Sequence, residues 1–400
     1  MIETMRIGID ARFLFVAGPG RYEKNLIEQL EKLDKNNEYF IFLRKENFEK
    51  YQPQNRNFQK VLADYPWYSF KEQLFLPLKI LRIKVDLMHF PHFNIPLFYF
   101  GPYVLTIHDL IMHEFSTERA STRSKPYYRF KRIVYKIVVK WAIRQAKMIL
   151  VPSKVTKFDL MKRLNVSDKK VVVTYEGVDR KFNVQPRSRT SSLRGKSSKC
   201  KVEEDVLGKY GIRRPYLLYL GSMYPHKNVE RLLQAFKILK ETYNFSGQLV
   251  LVGKRDFFSK RVYGETEALD LKRDVVFPGL MRDDGYVSDD EVVVLLKESS
   301  VFVFPSLKEG FGLPPLEAMS LGVPVVASNI SSIPEICQDA AHYFDPKDPE
   351  DMALKINELF ADNTLRDDLI SKGEKQASRY SWRTTAEQTL SVYKSLEIRD

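Results

Sequence analysis

The sequence contains only two cysteines and no continuous apolar run long enough to cross a membrane as a helix. Cys200 and Cys337 lie far apart and belong to no C-x-x-C or Cys/His cluster, which argues against a disulfide framework or a zinc site and favours a reducing cytoplasm. The uncharged stretch Leu87–His108 is interrupted by three prolines and a glycine, so we interpret it as loops around a buried strand. The first residues carry no basic segment followed by an apolar run, so no signal peptide is predicted.

Several familiar nucleotide-binding and metal-binding patterns are also missing. The first glycine loop has Gly18 and Gly20 but no third glycine, and no acidic residue follows at the distance that a dinucleotide-binding fold requires. There is no G-x-x-x-x-G-K-S/T phosphate loop and no D-x-D pair at the end of an N-terminal strand. The acidic pairs Asp283-Asp284 and Asp289-Asp290 lie in a polar stretch that predicts a solvated loop. We therefore expect no metal and no cofactor.

The charge is strongly positive, with a formal net charge of +13, which indicates an acidic partner. From Arg119 to Lys147 there are ten basic residues and no acidic one. Apolar residues recur among them at helical spacing, namely Phe130, Ile133, Val134, Ile137, Val138 and Trp141. This pattern is typical either of a solvated helix face or of a surface helix that docks on an anionic membrane. The docking cations would be Arg129, Lys131, Arg132 and Lys136. No nucleic-acid recognition module is present, so nucleic acid is not a predicted partner.

Short apolar runs alternate with amphipathic helical runs, as in α/β domains built on parallel sheets. The predicted strands are Arg6–Asp10, Tyr39–Leu43, Tyr103–Ile107, Val171–Thr174, Tyr216–Leu220, Leu249–Val252, Val275–Phe277, Val301–Phe304 and Val325–Ala327. The predicted helices are Tyr22–Leu33, Ser153–Leu164 with Ser153 as N-cap, Val229–Lys240 and Leu316–Leu321.

One stretch interrupts this alternation. Pro186–Asp205 is rich in Ser, Arg and Lys and predicts a linker or an exposed insertion. The predicted organisation is therefore two Rossmann-like domains, residues 1–180 and 214–378, joined by a linker at 181–213. Residues 379–400 are expected to form a C-terminal helix that packs back on the first domain. Ligands of such sheets bind beyond the carboxyl ends of the strands, so the loops there carry the chemistry.

The segment from Glu309 to Glu317 has the composition of a ligand-binding turn. It follows a predicted buried strand and combines glycines, which allow close approach of the backbone, with a helix start that offers free N–H groups to an anion. Pro315 is a favoured first-turn residue. Glu309 in the loop and Glu317 in the predicted first turn would accept hydrogen bonds from hydroxyl groups of a sugar and a ribose. The alternative is that Glu317 only favours the helix dipole and that Glu309 is a loop charge.

These two glutamates resemble the E-x7-E motif of the retaining nucleotide-sugar glycosyltransferases of family 4, which have the two-Rossmann glycosyltransferase-B architecture. Other segments resemble family elements in the same order along the chain. They are Gly18-Pro19-Gly20-Arg21-Tyr22, Thr106-Ile107-His108-Asp109-Leu110, Val151-Pro152-Ser153, Tyr175-Glu176-Gly177-Val178-Asp179, the stretch 220–228 (LGSMYPHKN), Pro324-Val325-Val326-Ala327-Ser328 and Tyr380-Ser381-Trp382. The resemblance covers nearly the whole chain and implies a cleft between two α/β domains.

The resemblance also implies roles for individual residues. Lys227 would contact the donor diphosphate, next to a helix with Asn228 as its N-cap. Glu309 would bind hydroxyls of the transferred sugar, and Glu317 would bind the ribose. His108 would face the donor sugar, and Gly20 would let the backbone approach the phosphates or the acceptor. The remaining predicted donor-binding residues are Ser222, Gly310, Phe311, Gly312 and Leu313.

The sequence departs from the family pattern at three positions. Ser222 stands where many members have an arginine, which puts a second cation on the diphosphate in doubt. His226 occupies a position where another branch has an arginine, and it substitutes for that charge only if it is protonated. Glu176 stands where asparagine is usual.

The resemblance predicts a metal-independent retaining transfer of a hexose from a nucleotide sugar to a glycan or lipid-linked acceptor. The acceptor attacks the face that the nucleotide leaves, and a donor phosphate oxygen takes the proton. The P-H-K-N stretch favours mannose from GDP-mannose. UDP-sugars, GDP-fucose and dTDP-rhamnose stay open as donors. Rival hypotheses are a sugar-nucleotide epimerase of the same fold and a non-catalytic nucleotide- or membrane-binding scaffold. The expected location is the cytoplasm or the inner face of the membrane.

Overall fold

The computed structural model describes residues 4–16, 18–111, 125–182 and 198–397, and for 125–132 and 198–202 it describes the backbone alone. The chain divides into two compact units. The N-terminal unit comprises the described residues up to 177 together with 381–397, and the C-terminal unit comprises those from 178 to 380. Each unit has its own parallel sheet with helices, so the prediction of two Rossmann-like α/β units is confirmed.

The sheet of the N-terminal unit has seven parallel strands in the order β3-β2-β1-β4-β5-β6-β7. The strands are β1 Arg6–Asp10, β2 Glu38–Leu43, β3 Phe58–Leu62, β4 Leu87–Phe90, β5 Tyr103–Thr106, β6 Met148–Val151 and β7 Val171–Val173. The helices between them are α1 Pro19–Leu33, α2 Lys45–Phe48, α3 Phe70–Ile83, α4 Lys125–Gln145 and α5 Lys154–Leu164. The predicted N-cap of α5 is confirmed, because the Ser153 side chain accepts a hydrogen bond from the Thr156 amide.

The sheet of the C-terminal unit has six parallel strands in the order β10-β9-β8-β11-β12-β13. The strands are β8 Tyr216–Leu220, β9 Gln248–Val252, β10 Val275–Val276, β11 Val301–Phe304, β12 Val325–Ser328 and β13 Ala341–Phe344. The helices are α6 Ser198–Lys209, α7 Val229–Tyr243, α8 Phe257–Ala268, α9 Asp289–Lys297, α10 Leu313–Ser320, α11 Ile333–Cys337, α12 Pro349–Ala361 and α13 Asn363–Ser378. The apolar core of this unit joins the strands to α7, α8, α12 and α13.

The last helix, α14 Trp382–Ser395, belongs to the N-terminal unit although it follows the whole C-terminal unit in sequence. It packs against α1. Thr385 donates a side-chain hydrogen bond to the carbonyl of Tyr175 at 2.6 Å, and the Tyr393 hydroxyl lies 2.6 Å from Nδ1 of His89. Gly177 lies so close to the start of α14 that an added Cβ would be 2.0 Å from the amide nitrogen of Trp382. The helix therefore completes the core of a unit whose sheet ends about two hundred residues earlier.

The structure corrects several element predictions. The stretch Leu87–His108 holds two strands, β4 and β5, where one was predicted. Asp289 and Asp290 form the first turn of α9 instead of a loop, because Ser288 caps this helix and acidic residues favour its positive end. Part of the predicted linker is the helix α6, and its Leu207 is buried. Residues 183–197 of that linker lie outside the described residues.

Helix α4 carries the basic stretch, but its predicted apolar stripe is not the buried one. Tyr135, Val139, Ala142 and Ile143 are buried, whereas Ile133 and Ile137 are exposed. Lys136 is exposed, and the side chains of Arg129, Lys131 and Arg132 lie outside the described part. None of the described helices has the length and apolar content that a membrane span requires.

Candidate active site

The strand order places two loops of the C-terminal unit side by side. When the strands of its sheet are numbered from β8 as strand 1, their spatial order is 3-2-1-4-5-6. The direction of winding therefore reverses between the neighbouring strands β8 and β11. Crevices at such switch points, beyond the carboxyl ends of the strands, are where doubly wound sheets bind ligands. Lys227 follows β8 and Glu309 follows β11. The predicted diphosphate-binding and sugar-binding residues therefore sit on the two loops of the switch point.

Lys227 and Glu309 are in direct contact. The Lys227 ammonium donates a hydrogen bond to Oε1 of Glu309 at 2.7 Å, and their side chains are only 18% and 10% exposed. The contact joins residues 82 positions apart in sequence. A cation and a carboxylate this close, and largely shielded from water, interact more strongly than an exposed surface pair would. Together they offer one group for a phosphate and one for a hydroxyl.

Hydrogen bonds from the neighbouring loop fix the backbone around Glu309. Ser331, after β12, accepts from the Glu309 amide at 3.0 Å and donates to the Glu309 carbonyl at 3.0 Å. Ser332 contacts the carbonyls of Glu309 and Phe311 at 3.1 and 3.0 Å. Sequence reasoning missed both serines, although a pair of hydroxyl residues after a predicted strand was a visible signal. They hold the glycine-containing loop, including buried Gly310, in place.

The glycine turn and the start of α10 differ from the prediction. Gly312 occupies the position before the helix with φ 104°, a backbone conformation that L side chains rarely adopt, so glycine is required there. The helix begins at Leu313, which makes Glu317 its fifth residue and not a first-turn charge. Glu317 is 1% exposed. The interpretation of Glu317 as a helix-dipole partner is therefore wrong.

Asn228 precedes helix α7, as predicted, but its side chain does not cap that helix. Its φ of 62° is left-handed, and no side-chain cap hydrogen bond forms. Its amide instead donates to the carbonyls of Pro305 at 3.0 Å and Pro346 at 2.7 Å, and its Oδ1 accepts from Arg231 at 2.9 Å. Asn228 therefore ties the loop after β8 to the loop after β11 and orients the segment that carries Lys227.

His226 does not supply the charge of the missing arginine. Burial and the positive charge of neighbouring Lys227 lower the pKa of His226 to about 4, although Glu309 opposes this. Its imidazole is therefore neutral near pH 7. Ser222 is half-buried, and its backbone carbonyl accepts a hydrogen bond from the Tyr219 hydroxyl at 2.5 Å. Neither residue adds a cation beside Lys227.

In the N-terminal unit, His108 follows β5 and pairs with Glu176, which follows β7. His108 Nδ1 lies 3.2 Å from Oε1 of Glu176, and Nε2 lies 2.9 Å from the carbonyl oxygen of Pro91. Burial lowers the pKa of His108, but the hydrogen bond and charge of Glu176 more than offset this, so the pKa is raised. Glu176, which stands where the family pattern has asparagine, is thus the partner of His108, the predicted active-site histidine.

Gly20 lies in the first turn of α1, not in the preceding loop as predicted. A Cβ at this position would be 2.2 Å from the carbonyl oxygen of Phe13 and 3.0 Å from the amide nitrogen of Phe15. The close approach that requires glycine here is between two segments of the protein's own backbone. Whether Gly20 also faces a ligand stays a prediction.

The described residues contain no group of three His, Cys, Asp or Glu side chains arranged as a metal site. In the same part of the chain Cys337 is buried and forms no disulfide, and burial raises the pKa of its thiol to about 12. Asp284, in one of the acidic pairs, forms an ion pair with Arg282 at 2.8 Å.

Comparisons with known proteins agree with this arrangement. Residues 16–182 match the model of Glycosyltransferase Family 4, and residues 204–376 match that of Glycosyl transferases group 1. The O-antigen chain mannosyltransferase B of Escherichia coli is 33% identical over 256 residues, which cover 64% of this chain and 62% of that protein. The match thus spans less than two thirds of that relative.

A second relative and a solved structure extend the likeness. The O-antigen chain mannosyltransferase RfbU of Salmonella typhimurium is 24% identical over 79% of this chain and 75% of its own. The structure of HepE from Anabaena in complex with UDP and glucose has a TM-score of 0.72, with 16% identity, 98% of this chain and 100% of that chain covered. The two family matches, the mannosyltransferase relatives and the two parallel-sheet units show that the chain belongs to the group 1 glycosyltransferases of the family 4 type, with the glycosyltransferase-B fold.

Proposed function

We propose that the protein is a retaining glycosyltransferase that transfers mannose from GDP-mannose to a glycan or lipid-linked acceptor. The reaction would serve polysaccharide or glycolipid synthesis in the cytoplasm or at the inner membrane face. The observation that carries the proposal is the contact of Lys227 with Glu309 at the switch point of the C-terminal sheet. In a nucleotide sugar the diphosphate is bonded directly to the sugar. A cation and a carboxylate 2.7 Å apart suit these two adjoining parts of one ligand.

The choice of mannose is supported by the relatives, two of which are named as O-antigen chain mannosyltransferases. The HepE structure contains UDP and glucose, which makes a UDP-sugar the main rival donor. Both donors present the same diphosphate to Lys227, so this residue does not distinguish them. The base and the sugar hydroxyls must do so, and a direct binding test is needed.

The proposed chemistry needs no side-chain nucleophile. The acceptor hydroxyl attacks the anomeric carbon on the face from which the nucleotide departs, and the bond between that carbon and the diphosphate oxygen breaks. The acceptor proton passes to an oxygen of the departing diphosphate. Lys227 stabilises the negative charge that develops on the leaving group, and the free N–H groups at the start of α7 lie just beyond it. Glu309 holds sugar hydroxyls while the bond breaks.

The test is thermal unfolding with GDP, UDP and dTDP. A nucleotide at 100 times its dissociation constant should add about 2.7 kcal/mol to the free energy of unfolding, and GDP should stabilise most. Lys227→Gln should abolish this stabilisation. Lys237→Gln is the matched control, since Lys237 lies on α7 in an exposed ion pair with Glu241.

Turnover completes the test. With GDP-mannose and an acceptor glycan, the enzyme should release GDP, and NMR of the product should show the anomeric configuration of the donor. If UDP alone stabilises the protein, the donor is a UDP-sugar and not GDP-mannose. If none of the three nucleotides stabilises the protein, the proposed donor site is wrong. An inverted product would exclude the retaining mechanism.

A further inference from the structure

Helix α3 of the N-terminal unit exposes an apolar surface on the side that faces away from the sheet. Phe70 is 95% exposed, Leu81 62%, Leu74 55% and Leu78 46%. At about 100° per residue these four side chains fall within a stripe about 80° wide. The opposite side of the helix buries its own apolar residues. Surface helices normally present polar residues outward, so this second apolar stripe needs a partner.

The acidic residue of α3 lies on the buried side of the helix, and two of its basic residues lie on the exposed side. Its one acidic residue, Glu72, is buried and accepts a hydrogen bond from Arg12 at 2.6 Å. Lys71 and Arg82 are exposed beside the apolar stripe. The outward side of α3 therefore combines apolar side chains with cations and carries no carboxylate.

Helix α4 continues this surface. One apolar core contains alternate residues of β4, β5 and β6 together with Leu76 of α3 and Val139 of α4, so both helices cover the same face of the sheet. The outward side of α4 exposes Ile133 and Ile137 with Lys136 and Lys140. Like α3, it exposes no carboxylate, since residues 125–145 contain no acid.

The loop between β4 and β5 adds two aromatic side chains next to α3. The Leu97 amide donates to the side chain of Gln73 on α3 at 2.7 Å, which fixes this loop against the helix. Phe98 and Phe100 are 62% and 76% exposed. We call these two side chains, together with Phe70, Leu74, Leu78 and Leu81 of α3 and Ile133 and Ile137 of α4, the apolar face.

We propose that the apolar face inserts into the surface of a bilayer with anionic headgroups, with Lys71, Arg82, Lys136 and Lys140 at the headgroup level. A membrane surface offers apolar chains beneath a layer of negative charge, which matches apolar side chains flanked by cations with no acid among them. Helices of this kind lie in the interface plane with their apolar side immersed. The proposal rests on the N-terminal unit alone and does not depend on the proposed donor or reaction.

The test is co-sedimentation with phosphatidylcholine vesicles that either contain or lack phosphatidylglycerol. Wild-type protein should bind the anionic vesicles, and high salt should weaken the binding. Leu81→Ser should weaken it about tenfold, because an immersed leucine returns to water. Arg82→Gln should weaken it about fivefold.

Two controls separate insertion from general effects. Met281→Ser removes a side chain of the C-terminal unit that is 58% exposed, close to the 62% of Leu81, and should leave vesicle binding unchanged. Lys32→Gln removes an exposed cation of α1 and should also have no effect. A circular dichroism spectrum and a melting temperature of Leu81→Ser that match those of wild type would show that the variant is folded.

Three outcomes would overturn the proposal. The first is equal binding of wild type to neutral and anionic vesicles. The second is binding by Leu81→Ser that is as tight as that of wild type. The third is a wild-type dimer that Leu81→Ser dissociates with no change in vesicle binding, which would make the apolar face a self-association surface. If the wild type binds no nucleotide, that result counts against the proposed function and not against membrane insertion of the apolar face.

Discussion

Replacement of Glu176 by glutamine should lower the pKa of His108, because the variant loses the carboxylate that favours the charged ring. Both nitrogens of this ring face oxygen acceptors, Nδ1 the Glu176 carboxylate at 3.2 Å and Nε2 the Pro91 carbonyl at 2.9 Å. Both nitrogens donate only in the imidazolium form. The charged ring is thus the form that this pocket satisfies.

The size of the effect follows from the contact. His108 is 20% exposed and Glu176 10%, so water screens the pair only partly. A hydrogen bond between charged groups contributes roughly 1.5–3 kcal/mol, so Glu176→Gln should cost about that much unfolding free energy at a pH where the ring is charged. The other charged neighbour that raises the pKa is Asp109. Nearby His89 and His92 stay neutral, since burial and the His108 charge lower both of their pKa values to about 3.

The pH dependence has a definite sign. Because the folded pKa of His108 is raised above the ordinary value of 6.5, the stability from this pair is fully present below 6.5 and is lost as the pH rises through the folded pKa. Wild type should therefore exceed Glu176→Gln in unfolding free energy by more at pH 6 than at pH 9.

Imidazole NMR titration is the direct assay. The pKa of His108 should fall in Glu176→Gln, and it should fall by less in the control Asp109→Asn, which keeps the direct hydrogen bond. An unchanged pKa in Glu176→Gln would refute the assignment of the charge to this pair. A difference in stability that does not vary with pH would refute it as well.

The other predictions concern the donor site and one backbone contact. Glu309→Gln should reduce turnover sharply and leave GDP binding nearly intact. Glu317→Gln should instead weaken GDP binding about ten- to a hundredfold. Equal GDP affinities of the two variants, measured by calorimetry, would contradict these separate roles. Activity should persist in EDTA, and a loss restored by magnesium would exclude the metal-independent mechanism. Gly20→Ala should destabilise the protein by about 1–3 kcal/mol because its Cβ meets the Phe13 carbonyl. The control Gly264→Ala lies in a helix where an added Cβ meets nothing within 4 Å, and it should stabilise the protein by about 0.5–1 kcal/mol. Chemical denaturation measures the unfolding free energy of both variants, and a stabilising Gly20→Ala would contradict the prediction.

The sequence predicted the strands and helices best where local patterns are strong. The bounds of β1, β8 and β11 agree with the prediction, because each is a short buried run that ends at turn residues. Strand β3 was missed, since it is an edge strand with polar residues and only partial burial. Strand β4 was missed because prolines and aromatic residues follow it closely.

The contacts of the candidate site were less predictable than its residues. Lys227 and Glu309 were both named from the sequence, but their pairing joins loops 82 positions apart. The contact of His108 with Glu176 spans 68 positions, and only the fold brings them together. Asn228 was expected to cap its helix, since local preference favours that role. The carbonyls of Pro305 and Pro346 compete for its amide, and no local pattern reveals them.

The position of α14 affects the order in which the two units can finish folding during synthesis. The described residues of the C-terminal unit all lie between 178 and 380, but the N-terminal unit must wait for a helix that begins at Trp382. At about 5–20 residues per second, the ribosome needs about 10–40 s to translate the intervening segment. During that interval the surface of α1 that receives α14 is uncovered, and His89 lacks its Tyr393 partner. The first unit to emerge from the ribosome is therefore the last to complete its core.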